Sequence, residues 1–229
     1  MKIKTALILC AGYGKRVHPI TKKIPKPLIE IKNTVLLQNT INLVISLGIK
    51  KIKINTYYRE NQILEFINSL NSTLEIEVIS DGKKILNTGG GTLNLIKHSL
   101  DKDFLVLNPD TLWNLKYKKT IKAMMKFYFQ NNIKNILMVV NKNKSFDKRF
   151  KGDFCFNNLN LYYGKKKQYI FTGCQIINKN VFNKRRSRVF SISNVWNDLI
   201  NKNLLFGYES KLNFLHLTDF KIYKNLTKT

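Results

Sequence analysis

The stretch TALILCAGYGKRVHPITKKIPKPL, Thr5 to Leu28, sets an unbroken apolar run against a loop holding two glycines, five lysines or arginines and three prolines. The run Thr5 to Cys10 has the continuity of a strand buried on both faces, as found inside a parallel sheet. Gly12 and Gly14 let the main chain take torsions that other residues avoid and come close to a ligand, so their amides can face phosphate oxygens. The loop is not a Walker A, because no Gly-Lys-Ser/Thr ends it, and Val17 stands where a complete G-x-G-x-x-G has its third glycine. Taken alone, two glycines at this spacing describe a tight turn equally well. Beyond them come Arg16, Pro19 and Thr21, then Lys26 between Pro25 and Pro27. Proline fixes its own φ and restricts the residue before it, so Lys26 is held in one direction.

Working outward, apolar residues at Leu36, Leu37, Ile41, Val44 and Ile45 predict a helix over Thr34 to Leu47, with Gly48 where it would close. Strands are predicted at Lys51 to Asn55, Leu74 to Ser80 and Asp103 to Asn108, with helices at Glu60 to Leu70 and Gly91 to Leu100 between them. Strands alternating with helices imply a mostly parallel sheet with helices on both faces. The second half is less regular. It gives a helix near Lys118 to Asn131, strands at Ile136 to Val140, Asp153 to Phe156, Asn160 to Tyr163 and Tyr169 to Ile177, and a helix at Ser193 to Asn201. Strands at Leu204 to Glu209 and Phe214 to Leu217 and a last helix after Asp219 complete it. One domain is expected for 229 residues, with 1–115 as a nucleotide-binding half and 116–229 as the acceptor half. Ligands of such sheets sit at the carboxyl ends of the strands, so the loops of interest are Ala11 to Leu28, Ser80 to Gly91, Asn108 to Trp113 and His216 to Asp219.

Composition narrows the class. A formal charge of +26 suggests a polyanion partner. Here the lysines are scattered beside abundant asparagine and isoleucine, residues with A- and T-rich codons, so no nucleic-acid partner is expected. The runs Lys22 to Lys26, Lys142 to Lys151, Lys165 to Lys167 and Lys184 to Arg188 are read as solvated loops, apart from the cationic loop above. Cys10, Cys155 and Cys174 show no CxxC and no histidine at ligand spacing, which points to buried free thiols. No run matches a secretory signal or a membrane span, so a cytoplasmic protein is expected.

The pattern GYGKRVHPITKKIPKPL resembles the signature of sugar-1-phosphate nucleotidyltransferases, G-x-G-x-R-x-x-P-x-T-x-x-x-P-K-P-L, at every defined position. The segments TGGGT (Thr88 to Thr92), NPDT (Asn108 to Thr111) and FTG (Phe171 to Gly173) are similar to further family segments. In size the chain looks most like the small bacterial subgroup that includes N-acetylmuramate-1-phosphate uridylyltransferases and proteins labelled mannose-1-phosphate guanylyltransferase.

The resemblance implies a Rossmann-like, three-layer α/β/α nucleotide-diphospho-sugar transferase fold. It also implies attack of a sugar 1-phosphate on the α-phosphorus of a nucleoside triphosphate, UTP or GTP foremost, with magnesium as cofactor. It makes Arg16 and Lys26 the catalytic cations. Ala11, Gly12, Gly14, Lys15, Asp81, Thr88, Gly89 and Gly90 would contact the nucleotide, and Asn108, Thr172 and Gly173 the sugar. Asp110 would hold the metal. Family members carry a second metal aspartate in a late motif such as D-V-G-T-P or H-V-G-D-P, where this chain has HLTDF at His216 to Phe220. Asp219 is assigned that role over His216, because magnesium disfavours imidazole. Plain structural roles stand beside these: Gly89 to Gly91 as a helix-initiating loop, Asp110 or Asp219 as helix caps. Two other functions stay open, a cytidylyltransferase acting on phosphocholine or another small phosphate, and a non-catalytic regulatory homologue. The oligomer would be a monomer or homodimer.

Overall fold

The computed structural model describes residues 2–70, 74–183 and 187–228. Residues 184–186 of the Lys184 to Arg188 run therefore lie outside the described residues. The first half alternates as β1 (Thr5–Leu9), a small hairpin of β2 (Glu30–Ile31) and β3 (Thr34–Val35), α1 (Leu36–Ser46), β4 (Lys51–Thr56), α2 (Glu60–Ser69), β5 (Glu75–Ser80), α3 (Asn87–Lys97) and β6 (Asp103–Leu107). The second half adds α4 (Tyr117–Gln130), β7 (Asn135–Asn141), β8 (Cys155–Asn157), β9 (Asn160–Tyr162), β10 (Tyr169–Asn178), α5 (Ser193–Ile200), β11 (Phe206–Ser210) and α6 (Phe220–Lys228).

The main sheet has the order β5-β4-β1-β6-β10-β7-β11-β9-β8. From β5 to β6 all neighbours are parallel; β10 runs antiparallel to both β6 and β7, and β11 is parallel to β7. Because β1 is central, both of its faces need apolar cover, which is why its sequence does not alternate in polarity. Ala6 and Ile8 join Leu37, Ile41, Ile63, Ile121 and Met124 in the core under α1, α2 and α4. Leu7 points the other way, into a core with Leu95, Val195 and Trp196 from α3 and α5. The result is the expected three-layer α/β/α arrangement. Among the described residues no helix is long and apolar enough to cross a membrane.

A third, smaller cluster positions the site. Val17, Ile29 and Leu36 from the cationic loop region pack on Leu217, Ile222 and Leu226, so the loop after β1 and helix α6 share one core.

Two elements differ from the sequence expectation. Helix α3 begins at Asn87, ahead of the glycine run, which places Gly89 to Gly91 inside its first turns. The segment Phe214 to Leu217 is extended but forms only single bridges, Ser145 to Phe214 and Thr111 to His216. It lies between the loops after β6 and β7, held by Leu112 N donating to Leu215 O at 2.9 Å and Leu217 N donating to Asp110 O at 2.8 Å.

Candidate active site

The loops after β1 and β6 enclose a cleft of about 390 Å³ with the carboxyl end of β4 at Asn55, bordered on one side by Ile85 before α3 and by Asn87 and Thr88 in its first turn. Its wall contains Ala11, Gly12, Gly14, Lys15, Arg16, Lys26, Thr88, Asn108 and Asp110, so most of the sequence-assigned residues meet in one place. At Gly12 an added β-carbon would meet nothing within 4 Å. Gly14 has φ +64°, and a β-carbon there would come within 2.9 Å of Thr21 Cγ2 and 3.1 Å of Lys26 Cβ. Only glycine lets the loop fold back this far. The fold-back is fastened by Val17 N donating to Gly14 O at 2.8 Å, Thr21 Oγ1 donating to the same oxygen at 2.9 Å, and Tyr58 Oη donating to Thr21 O at 2.6 Å. Lys15 and Arg16 are exposed at the cleft.

Lys26 reaches across the cleft to Asp110, Nζ to Oδ2 2.6 Å, with the two side chains 12% and 22% exposed. His216 Nε2 stands 3.3 Å from the same oxygen. The other oxygen, Oδ1, is buried and has no hydrogen-bond partner among the described residues. Burial opposes the charge on Asp110, but Lys26 and His216 beside it outweigh burial and hold the carboxyl well below the usual carboxylate range. Cys10 borders the cleft, yet burial and then the Asp110 charge push its thiol up, so it stays a protonated packing group.

The remaining assigned residues sit behind the cleft wall. Asp81 is buried; its carboxylate accepts from Asn55 Nδ2 at 3.2 and 3.3 Å and from Leu86 N at 3.3 Å, and burial raises its pKa. Gly89 and Gly90 face protein, because Gly89 N and Gly90 N both donate to Phe190 O at 3.0 Å. The third and fourth amides of α3 are thus taken by the chain itself. Thr172 Oγ1 donates to Met138 O at 2.9 Å, and Thr172 O accepts from Thr111 Oγ1 at 2.7 Å. Gly173, at φ +84°, accepts from Asn108 N at 2.8 Å, and a β-carbon on it would press Asn108 Cβ at 3.0 Å. Both lie at the register shift in β10 and brace the Asn108 to Thr111 loop. Asp219 Oδ2 pairs with Arg149 Nη2 at 2.8 Å and Oδ1 caps Ile222 N at 3.0 Å, the capping alternative open in the sequence. Asp219 is not among the residues bordering the cleft, and His216 is the late-motif residue found at Asp110.

Sequence reasoning missed Asn55. It ends β4 in the cleft wall, where its Oδ1 accepts from Cys10 N at 3.0 Å and fixes the start of the glycine loop. A polar residue at the carboxyl end of a parallel strand was the available signal.

Residues 5–146 match the family described as Nucleotidyl transferase, and the chain belongs to it. The bifunctional protein GlmU of Methanococcus vannielii is 26% identical over 228 residues, covering 89% of this chain and 49% of that protein. A mannose-1-phosphate guanylyltransferase catalytic subunit beta of Drosophila pseudoobscura pseudoobscura is 30% identical over 141 residues, covering 60% of this chain and 36% of that one. The chain thus spans half or less of the length of these relatives. Among solved structures, HddC from Yersinia pseudotuberculosis complexed with GMP-PN superposes with a TM-score of 0.77 at 20% identity, covering 99% of both chains. UDP-glucose pyrophosphorylase complexed with UDP-glucose gives 0.79 at 17% identity, covering 99% of this chain and 98% of that one. At such identities these structures establish the shared fold.

Proposed function

We propose that this chain joins a nucleoside triphosphate, UTP or GTP foremost, to a sugar 1-phosphate and releases pyrophosphate. The observation that carries the proposal is the convergence of an open Gly12, the cations Arg16 and Lys26, and a carboxylate with one unpaired buried oxygen on a single cleft. In the reaction an oxygen of the sugar phosphate bonds to the α-phosphorus while the bond from that phosphorus to the β-bridging oxygen breaks, its electron pair leaving with pyrophosphate. The attacking phosphate is already ionised at neutral pH, so positioning and positive charge supply the catalysis and no strong base is required.

In this scheme the main chain of Ala11 to Gly14 lies along the triphosphate, Lys15 and Arg16 bind the β- and γ-phosphates, and Lys26 leaves Asp110 for the α-phosphate. Thr88 and Asn55 flank the nucleoside, with Asp81 orienting Asn55. Asn108 faces the acceptor, held by Thr172 and Gly173, and the acceptor half is 116–229. The unpaired Asp110 Oδ1 suits a divalent cation, for which the family resemblance implies magnesium; such an ion lowers repulsion between the anions and supports the leaving charge. The names of the relatives above support a sugar acceptor, and the proposal puts the reaction in the cytoplasm, by a monomer or homodimer.

A panel of the four common triphosphates against several sugar 1-phosphates and phosphocholine, read by pyrophosphate release with a divalent cation, tests this. Turnover with a sugar phosphate is expected. Turnover with phosphocholine alone would move the chain to the cytidylyltransferase alternative, and no turnover with any pair would leave a regulatory homologue.

A further inference from the structure

His216 holds its place through a chain of hydrogen bonds that begins outside the cleft. Asp147, 4% exposed, accepts from Arg149 N at 3.1 Å, Nε at 2.8 Å and Nη2 at 2.7 Å, and it also accepts from the Thr218 hydroxyl. Thr218 Oγ1 stands 3.2 Å from His216 Nδ1, so Thr218 ties the ring to Asp147. The other ring nitrogen, Nε2, faces Asp110 Oδ2 at 3.3 Å. The ring cannot easily turn away, since it stacks on Phe214 at 5.7 Å and meets the edge of Phe150 at 6.0 Å.

A divalent ion binds an imidazole through its nitrogen lone pair and a carboxylate through its oxygens, and Lys26 already lies against Oδ2. The second carboxylate oxygen is buried with no hydrogen-bond partner among the described residues. One ion between imidazole and carboxylate satisfies both groups at once. We propose that His216 Nε2 and Asp110 are the two protein ligands of a divalent-cation site, and that its ion is a first-row transition metal of the manganese class rather than magnesium. Magnesium demands a near-octahedral shell of oxygens, whereas an imidazole nitrogen with a carboxylate suits the first-row ions. Phosphate oxygens and water would complete the shell, so the inference rests on the nucleotidyl-transfer reading. Asp147 and Thr218 act as positioning residues that hold the imidazole ring against Asp110.

The test loads the full chain with manganese chloride, alone and with GTP or UTP, and records pulsed electron paramagnetic resonance beside pyrophosphate release. Bound manganese in the wild type should show coupling to an imidazole nitrogen, absent in His216→Ala and His216→Asp. Thr218→Val should weaken manganese binding about tenfold. His216→Asp, which makes the ligands all oxygen, should shift the ratio of half-saturating magnesium to manganese at least tenfold toward magnesium. Circular dichroism of each variant reports its folding, and the wild-type spectrum decides the matter even if a variant fails to fold. Manganese that does not bind, binds without nitrogen coupling, or keeps its coupling in folded His216→Ala overturns the inference. So does half-saturation of the wild type by magnesium at or below the manganese concentration. Nitrogen coupling without pyrophosphate release under any condition upholds the site and defeats the proposed reaction; release with magnesium and no coupling does the reverse.

Discussion

Gly90→Ala separates the two uses open to the TGGGT run, a ligand surface or a packing surface. A β-carbon at Gly90 would stand 2.1 Å from the Arg188 carbonyl oxygen and 3.0 Å from Leu86 Cβ. The first contact is with main chain, so no rotamer change relieves it; a carbon normally stays about 3.3 Å or more from such an oxygen, which demands a shift of roughly 1 Å. The shift would strain the two hydrogen bonds from Gly89 N and Gly90 N to Phe190 O. Overpacking of this kind costs about 1–3 kcal/mol, and a weakened buried hydrogen bond adds about 1 kcal/mol. Alanine returns about 1 kcal/mol as the better helix former. The net is a loss of about 1–3 kcal/mol, and for a domain of this size each kcal/mol lowers Tm by about 2–4 °C. Thermal unfolding followed by circular dichroism should therefore show Tm lower by roughly 3–10 °C. The KM for the triphosphate, measured well below that Tm, should stay within about twofold because Gly90 does not border the cleft. An unchanged Tm with a tenfold rise in KM would refute the packing account and return the glycine to the nucleotide.

Three other perturbations probe the cleft and its support. Arg16→Ala removes an exposed cation and should change stability by less than about 0.5 kcal/mol, while kcat/KM for pyrophosphate release falls about 10-fold to 100-fold; equal activity removes Arg16 from the site. Lys26→Ala should lower kcat by about 100-fold or more, and urea unfolding should show an added loss of about 1–3 kcal/mol, because Asp110 loses its ammonium partner. Full stability in that variant would mean the pair contributes nothing before substrate binds. The bonds from Arg149 hold the Asp147 carboxyl down to about 2 from an ordinary value of 3.8. A depressed carboxyl favours folding above its ordinary pKa, and that contribution, about 2 kcal/mol at most, fades as pH falls from near 4 toward 2. The stability gap between wild type and Arg149→Met should accordingly shrink between pH 7 and pH 3, and a constant gap would show that Asp147 is not the group involved.

The legible parts of this fold are those in which local chemistry and global position agree. The continuous apolar run of β1, the glycine loop and proline-braced Lys26 each state their role within a few residues, and the structure brings Lys26, Arg16 and Asp110 to one cleft. The parts that misled depend on partners far away in the chain. Three glycines read locally as a break, yet α3 runs through them because the 188–192 segment crosses close enough to exclude any β-carbon at Gly89 or Gly90. His216 and Asp219 lie three residues apart, yet Asp219 pairs with Arg149, distant in sequence, while His216 stands at Asp110. Thr172 and Gly173 were legible as important but not in what way: the register shift in β10 turns them toward the Asn108 loop they support.

Charge balance links the resting cleft to the reaction proposed for it. Lys15, Arg16 and Lys26 against Asp110 give three positive charges and one negative, a local sum of +2. Three free cations in one small cleft would repel one another and splay the loop. Asp110 offsets one of them and keeps Lys26 poised, at the modest strength of a partly exposed pair. An ionised triphosphate brings about four negative charges and a divalent cation two positive, a nucleotide complex near −2 that the sum of these four groups matches before the acceptor arrives. As Lys26 moves from Asp110 to a phosphate, the carboxylate would be freed for the incoming cation, so each positive charge always has a partner. A second protein carboxylate in the cleft would leave the loaded site one charge short. On this count the pairing of Asp219 with Arg149 belongs with a cleft whose wall sets one carboxylate against three cations.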